Sequence, residues 1–248
     1  MRYLVLTDIH ANLEALEACL GDAQARRYDR TLVLGDLVGY GADPELVMAG
    51  IDALAPTMTV RGNHDKVCAG LAPASDFNDI ARDSILWTRE TLSPERLSAL
   101  RDLPQGPTLV TPDVEICHGS PFDEDFYLFD PRDAALAFSA MSGQICLFGH
   151  THQPAIFLAR GSYSSFVEPE TDGAGWTWQI PAERNVLVNV GSVGQPRDGD
   201  PRAAYGVLDT TTRVVESRRV EYDIGEAQRR ILDAGLPSRL AERLDRGV

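Results

Sequence analysis

Five short apolar runs in this chain each end on a polar motif, and that repeated junction limits the fold more than any other feature. Tyr3-Leu4-Val5-Leu6 runs into Asp8-Ile9-His10, and Thr31-Leu32-Val33-Leu34 into Gly35-Asp36-Leu37-Val38-Gly39. Thr57 to Val60 runs into Gly62-Asn63-His64-Asp65. Val114 to Cys117 and Ile145 to Phe148 lead to His118-Gly119-Ser120 and Gly149-His150-Thr151-His152. Short apolar runs bounded by turn residues read as buried strands. In α/β sheets, ligands gather outside the carboxyl ends of strands. Strand ends pointing one way would therefore bring residues 8 and 152 together.

Helix signals fill the gaps. Asn12 offers a cap for apolar positions Leu13, Leu16, Leu20 and Ala23, which follow helical spacing. Asp43-Pro44 opens a second helix. Residues 77–103 read as two more, the later one started by Ser93-Pro94, and Asp130-Pro131 caps another. Beyond residue 155 the pattern turns to strands: Ile156–Leu158, Tyr163–Val167, Trp176–Ile180, Val186–Val190, Tyr205–Leu208 and Val214–Val220. A polar helix from about Gly225 closes the chain. No internal repeat, low-complexity tract or linker interrupts it, so one domain over 1–248 is expected.

All five histidines lie inside the polar motifs. Imidazole is the commonest metal ligand. Asp8 and His10 are two apart, as are His150 and His152; on an extended backbone each pair would face one side and one small volume. With Asp36, Asn63 and His118 there are seven candidate ligands. Mixed nitrogen and oxygen donors suit manganese or iron first, with zinc also open. Seven donors exceed one tetrahedral zinc. With Asp36 shared, they supply four contacts to each of two metals, an arrangement that activates water for in-line displacement. The two dications outweigh Asp8 and Asp36, leaving a positive centre able to hold a phosphate ester. His64 is then left over. Oriented by neighbouring Asp65, it would act as general acid or hydrogen-bond a phosphate oxygen.

Other residues are read more plainly. Arg197 either clamps substrate phosphate or is a surface arginine among aspartates, and the two readings stand level. Trp176 and Trp178 mark a half-buried strand face. Phe126, Tyr127 and Phe129 are taken as core rather than pocket wall. Ser120 is no nucleophile, since metal-bound hydroxide makes one unnecessary.

Lys+Arg 23 against Asp+Glu 37 gives a net charge of −14, which argues against dedicated nucleic-acid or anionic-membrane binding. No apolar stretch approaches the roughly 20 residues that span a bilayer. The early strand leaves no room for a signal peptide. The four cysteines form no Cys-x-x-Cys pair, and Cys117 and Cys146 read as buried small hydrophobes. A cytoplasmic location is expected, and homo-oligomerisation stays open.

The ordered set Asp8-x-His10, Gly35-Asp36-x-x-Gly39, Gly62-Asn63-His64-Asp65, His118-Gly119-Ser120 and Gly149-His150-x-His152 resembles the calcineurin-like metallophosphoesterases. Asn189-Val190-Gly191-Ser192 resembles the strand-end glycine motif that follows in many bacterial members. The resemblance implies a four-layer α/β/β/α sandwich of two mixed sheets flanked by helices. It assigns Asp8, His10, Asp36 and His152 to one metal, and Asp36, Asn63, His118 and His150 to the other. It makes His64 the substrate-facing histidine, supported by Asp65. The implied activity is hydrolysis of small phosphodiesters or nucleotides by a hydroxide bridging the two metals. Phosphoproteins and dinucleoside polyphosphates are alternative substrates. A non-catalytic scaffold on the same fold is disfavoured because every metal position is intact.

Overall fold

The computed structural model describes residues 1–161 and 163–248. Strands β1 (Arg2–Leu6), β2 (Arg30–Val33) and β3 (Met58–Thr59) run parallel. They join β9 (Gly175–Gln179), β11 (Ala203–Asp209) and β12 (Val214–Val220) in a six-stranded mixed sheet of order β3-β2-β1-β11-β12-β9. The second six-stranded sheet has the order β4-β5-β6-β10-β7-β8. Its strands are β4 (Thr108–Thr111), β5 (Val114–Ile116), β6 (Ile145–Leu147), β7 (Ala155–Arg160), β8 (Tyr163–Phe166) and β10 (Val186–Asn189). Within it β5, β6 and β10 are parallel.

Side-chain alternation sorts these strands into layers. Tyr3 and Val5 of β1 enter an inter-sheet core with Ile116, Leu147 and Val188. Leu4 and Leu6 point the other way, onto α1 (Leu13–Ala23), α2 (Pro44–Ala53) and α4 (Asp79–Thr91), through Leu16, Val47 and Ile85. On the outer face of the second sheet, Cys146, Phe157 and Leu187 pack on Ala134 and Ala137 of α6 (Pro131–Ala140). The expected four-layer α/β/β/α sandwich is what the chain forms. Truncating a fully buried leucine such as Leu6 would cost about 2–5 kcal/mol, so the strand ends stand on a rigid platform.

The caps follow the sequence closely. Asn12, Ser93 and Asp130 accept backbone N–H groups at the starts of α1, α5 (Pro94–Asp102) and α6. Asp43 does not cap α2; its carboxylate is drawn to Arg230 of α7 (Ile224–Asp233). The third strand is only two residues long, although Thr57 and Val60 still donate to β2 carbonyls. Strand β4 is a short edge hairpin partner of β5, an addition to the strands read from the sequence. The closing helix is amphipathic rather than polar: Ala227 and Ile231 are buried, and a short α8 (Ser238–Glu242) packs beside it.

Candidate metal centre

The carboxyl ends of the parallel strands from both sheets meet at one place. Asp8 N–H donates to the Gly35 carbonyl, Gly149 N–H to the His118 carbonyl, and His150 N–H to the Asp8 carboxylate across the two sheets. The backbone there is not extended. Asp8, His10, Ala11, Asp36, Tyr40, His150 and His152 all have positive φ, between 50° and 67°. Such conformations are uncommon for residues with a Cβ and gather at functional sites. This corrects the strand-alternation argument for the Asp8/His10 and His150/His152 pairs. Left-handed turns, not pleating, aim these side chains, and His150 and His152 separate into different clusters as a result. Glycine is required where the loops touch: a Cβ on Gly62 would meet the Asp36 carboxylate, and one on Gly39 the His64 ring.

Two buried clusters form. Asp8, His10, Asp36 and His152 make one, and Asp36, His118 and His150 the other, with donor atoms in each within 4.8 Å of one another. Asp36 Oδ2 stands 3.4 Å from both His10 Nε2 and His118 Nε2, so this carboxylate lies between the clusters. Asn63, at the start of α3 (Asn63–Cys68), places Oδ1 3.2 Å from His118 Nε2. All seven ligand candidates therefore come together.

The four clustered imidazoles share one device. Nδ1 of His10, His118 and His152 lies 3.1, 2.7 and 2.6 Å from the carbonyls of Val38, Leu34 and Gln195. His150 uses Nε2 instead, 3.1 Å from the Asp125 carbonyl. A carbonyl only accepts, so each of these ring nitrogens carries its proton. In a neutral ring that leaves the other nitrogen as a bare lone pair facing the cluster. His10 Nε2 and His152 Nε2 sit 3.2 Å apart in this way, an arrangement that repels unless a cation lies between them. The donor set fits a metal pair.

Burial drives these groups off their ordinary pKa values. It pushes the Asp8 carboxyl up to about 6 against the pull of His118. It would raise Asp36 too, but His118, His64 and His10 hold that carboxyl well below the usual range. Burial lowers His10 and His152 well below an ordinary imidazole, His150 to about 3 and His64 to about 4. His118 goes the other way. Burial opposes its charge, yet Asp36 beside it lifts its imidazole to about 10. In the metal-free chain a proton on His118 stands where a cation would.

His64 sits in the adjoining cleft of about 430 Å³, with its ring 4.4 Å from Tyr40 and 4.7 Å from Phe77. Its main-chain N–H donates to Asp36, and its Nδ1 is buried without a partner. Asp65 does not orient it. The Asp65 carboxylate accepts from Leu37, Val38 and Gly62 N–H groups, because consecutive residues on a helix point to different faces. Burial lifts that carboxyl to about 7. Asp65 thus joins the second and third motif loops to each other.

Arg197 is half-buried over the Tyr40 ring, 5.7 Å from its centroid, and donates to Gln195 Oε1. It faces the site and is not a surface arginine paired to its neighbouring aspartates. The expectation of Tyr127 as core is also corrected. The residue is 42% exposed and its ring stacks on His150 at 3.8 Å, so it walls the cleft, with Phe129 stacked outside it. Phe126 does pack against the core. Trp176 and Trp178 are half-buried with Thr177 exposed, as expected. Ser120 is occupied by the main chain of Asp123. Sequence reasoning missed Tyr40 and the carbonyl anchors of the imidazoles; the placement of Tyr40 directly after the Gly39 motif was the one available hint.

Fold and centre together define a metallophosphoesterase. The chain belongs to the calcineurin-like phosphoesterase superfamily, whose domain it matches over residues 1–213. It is similar to a metallophosphoesterase from Sphaerobacter thermophilus, 39% identical with a TM-score of 0.87 over 100% of this chain and 99% of that one. It is 35% identical to the uncharacterized protein MJ0912 of Methanocaldococcus jannaschii over 245 residues, 97% of this chain and 96% of the relative. The hypothetical protein PH1004 from Pyrococcus horikoshii OT3 shares the fold, at 22% identity and a TM-score of 0.77 over 100% and 98% of the two chains. The buried metal-binding clusters are intact, so the chain is a metal-dependent phosphoesterase rather than a scaffold. Among the described residues, no helix is long and apolar enough to cross a membrane.

Proposed function

We propose that this enzyme hydrolyses small phosphate esters, phosphodiesters or nucleotides, with residues 1–248 working as one domain. Two transition metals, manganese or iron in preference to zinc, would serve it. Asp8, His10, Asp36 and His152 would hold one, and Asp36, Asn63, His118 and His150 the other. When bound, the metals supply Lewis acidity and a nucleophilic water for in-line attack on phosphorus. The observation that supports this reading best is the pair of bare Nε2 atoms 3.2 Å apart with Asp36 beside them.

The remaining residues position and stabilise. His64 is neutral where it stands, and its Nδ1 is turned into the protein, which leaves Nε2 for the substrate. There the neutral ring would hydrogen-bond a phosphate oxygen, and only its imidazolium, favoured when a bound phosphate brings negative charge beside it, would pass a proton to the leaving oxygen. Arg197, held over Tyr40, offers a planar donor pair to the phosphate. Asp65 is a positioning residue that fixes the loops bearing Asp36 and His64. A cleft of about 430 Å³ suits a small molecule. A cytoplasmic location belongs to the same proposal.

Titrating metal-stripped protein with manganese and assaying bis(nitrophenyl) phosphate, nitrophenyl phosphate and nucleotides tests the proposal. Two ions per chain and manganese-dependent release of phosphate or alcohol are expected. Saturation at one ion, or no turnover of any ester, overturns it.

A further inference from the structure

Beside His64, past Tyr40, the molecule gathers positive charge that the proposed hydrolysis does not use. The Arg197 and Arg243 guanidiniums both lie over the Tyr40 ring, 5.7 and 5.9 Å from its centroid. Arg243 and Arg239 line a cleft of about 620 Å³ that shares Tyr40 and Asn78 with the cleft holding His64. Among the described residues, none of these three arginines makes an ion pair with an aspartate or glutamate side chain. Arg197 is held by an amide oxygen, and Arg243 by an oxygen of Val248, the last residue of the sequence.

That is unusual in a chain of net charge −14. Nearby arginines are paired: Arg202 with Asp200, Arg219 with Asp198, and Arg230 with Glu14, Asp43 and Glu226. Carboxylates are plentiful, yet Asp79 on the cleft wall pairs with Arg82. Neighbouring cations raise each other's energy when no anion sits between them. Burial, then the nearby Arg197, lowers the Arg243 guanidinium to about 10. A site that keeps three guanidiniums together with no aspartate or glutamate side chain paired to them is preorganised for an anion that arrives from outside.

We propose that Arg239 and Arg243, with Arg197 as the link to the metal centre, bind a second phosphate group of the substrate. The enzyme then prefers compounds bearing two or more phosphates, such as nucleoside diphosphates, over simple monoesters. This rests on the phosphoesterase reading of the metal centre and narrows its substrate class. Arg239 and Arg243 lie beyond the 1–213 stretch that matches the superfamily domain, so this selectivity would come from the C-terminal segment rather than from the shared motifs.

Two measurements on the full chain decide it. The first is calorimetric binding of inorganic pyrophosphate and of inorganic phosphate to metal-free protein. Pyrophosphate should bind more tightly, and Arg239→Gln/Arg243→Gln should weaken it about tenfold or more, the loss expected for charge-assisted hydrogen bonds. The second is the ratio of kcat/KM for a nucleoside diphosphate, or for a sugar bisphosphate, to that for nitrophenyl phosphate in manganese-loaded enzyme. That ratio should fall about tenfold in the double variant. Arg246→Gln, the same charge change on an exposed neighbour, should hold the ratio within about twofold. A response to the nucleotide but not the sugar bisphosphate would place recognition in the base, not the second phosphate, and overturn the proposal. So would pyrophosphate binding unaffected by the variant, or equal loss on all substrates. If wild type turns over no ester while pyrophosphate still binds through these arginines, the hydrolytic reading fails and the subsite stands.

Discussion

The two metal clusters share Asp36 but are built differently. The Asp8–His10–His152 side is closed: its groups are buried, and its imidazoles are anchored on Val38 and Gln195 carbonyls and held neutral. The Asn63–His118–His150 side opens on the cleft, where Asn63 and His150 line the wall under Tyr127. It also carries the one imidazole pushed upward, His118. One half reads as a fixed anchor and the other as the face that meets substrate. The contrast shows how the same residue types take different duties once burial and neighbours differ.

The hardest test of that division is Asp36→Asn, which removes the shared carboxylate. Both ions should be lost and turnover should fall about a thousandfold or more, beyond the roughly 10–100-fold cost of losing an outer partner of a ligand. His152→Ala and His150→Ala should each empty one side, read as one ion per chain by metal analysis. Retention of two ions in all three variants would erase the distinction.

Next in size, His64→Ala should keep both ions and lower turnover by roughly 10²–10⁴-fold. Acid catalysis predicts a smaller loss for nitrophenyl esters, whose leaving groups need no proton. A uniform loss points to transition-state stabilisation instead. Loss of an ion would make His64 a ligand and move the open face.

The smallest effect separates the halves by pH. His118 has a folded pKa above its ordinary value. Its protonated form therefore stabilises the metal-free fold fully below about 6.5, and that contribution is lost as pH rises through about 10. A metal on the open side must displace this proton, so its affinity should rise by about tenfold per pH unit between 7 and 9. The closed side has no proton to lose there, since His10 and His152 are already neutral and Asp8 titrates near 6. Competition with a chelator at each pH reads both constants. Equal slopes for the two ions would refute the comparison.

Much of this protein is written locally. Apolar runs of the right length and the caps Asn12, Ser93 and Asp130 depend on near neighbours, so the α/β alternation was legible in order and position. The seven candidate ligands were legible too, because each sits at a strand end that the run before it announces. What the sequence could not decide is how loops from different strands meet. The positive φ values that aim His10 and His150 are held by bonds such as His150 N–H to Asp8, across 142 residues. Asp65 bonds main-chain groups 28 and 27 residues away rather than the ring beside it. Asp43 was read as a cap, but folding brings Arg230 to it from 187 residues away. The arginines over Tyr40 come from two distant segments. Local propensity sets which residues stand at each strand end. Directions and partners come from packing between ends, which only the assembled sandwich supplies.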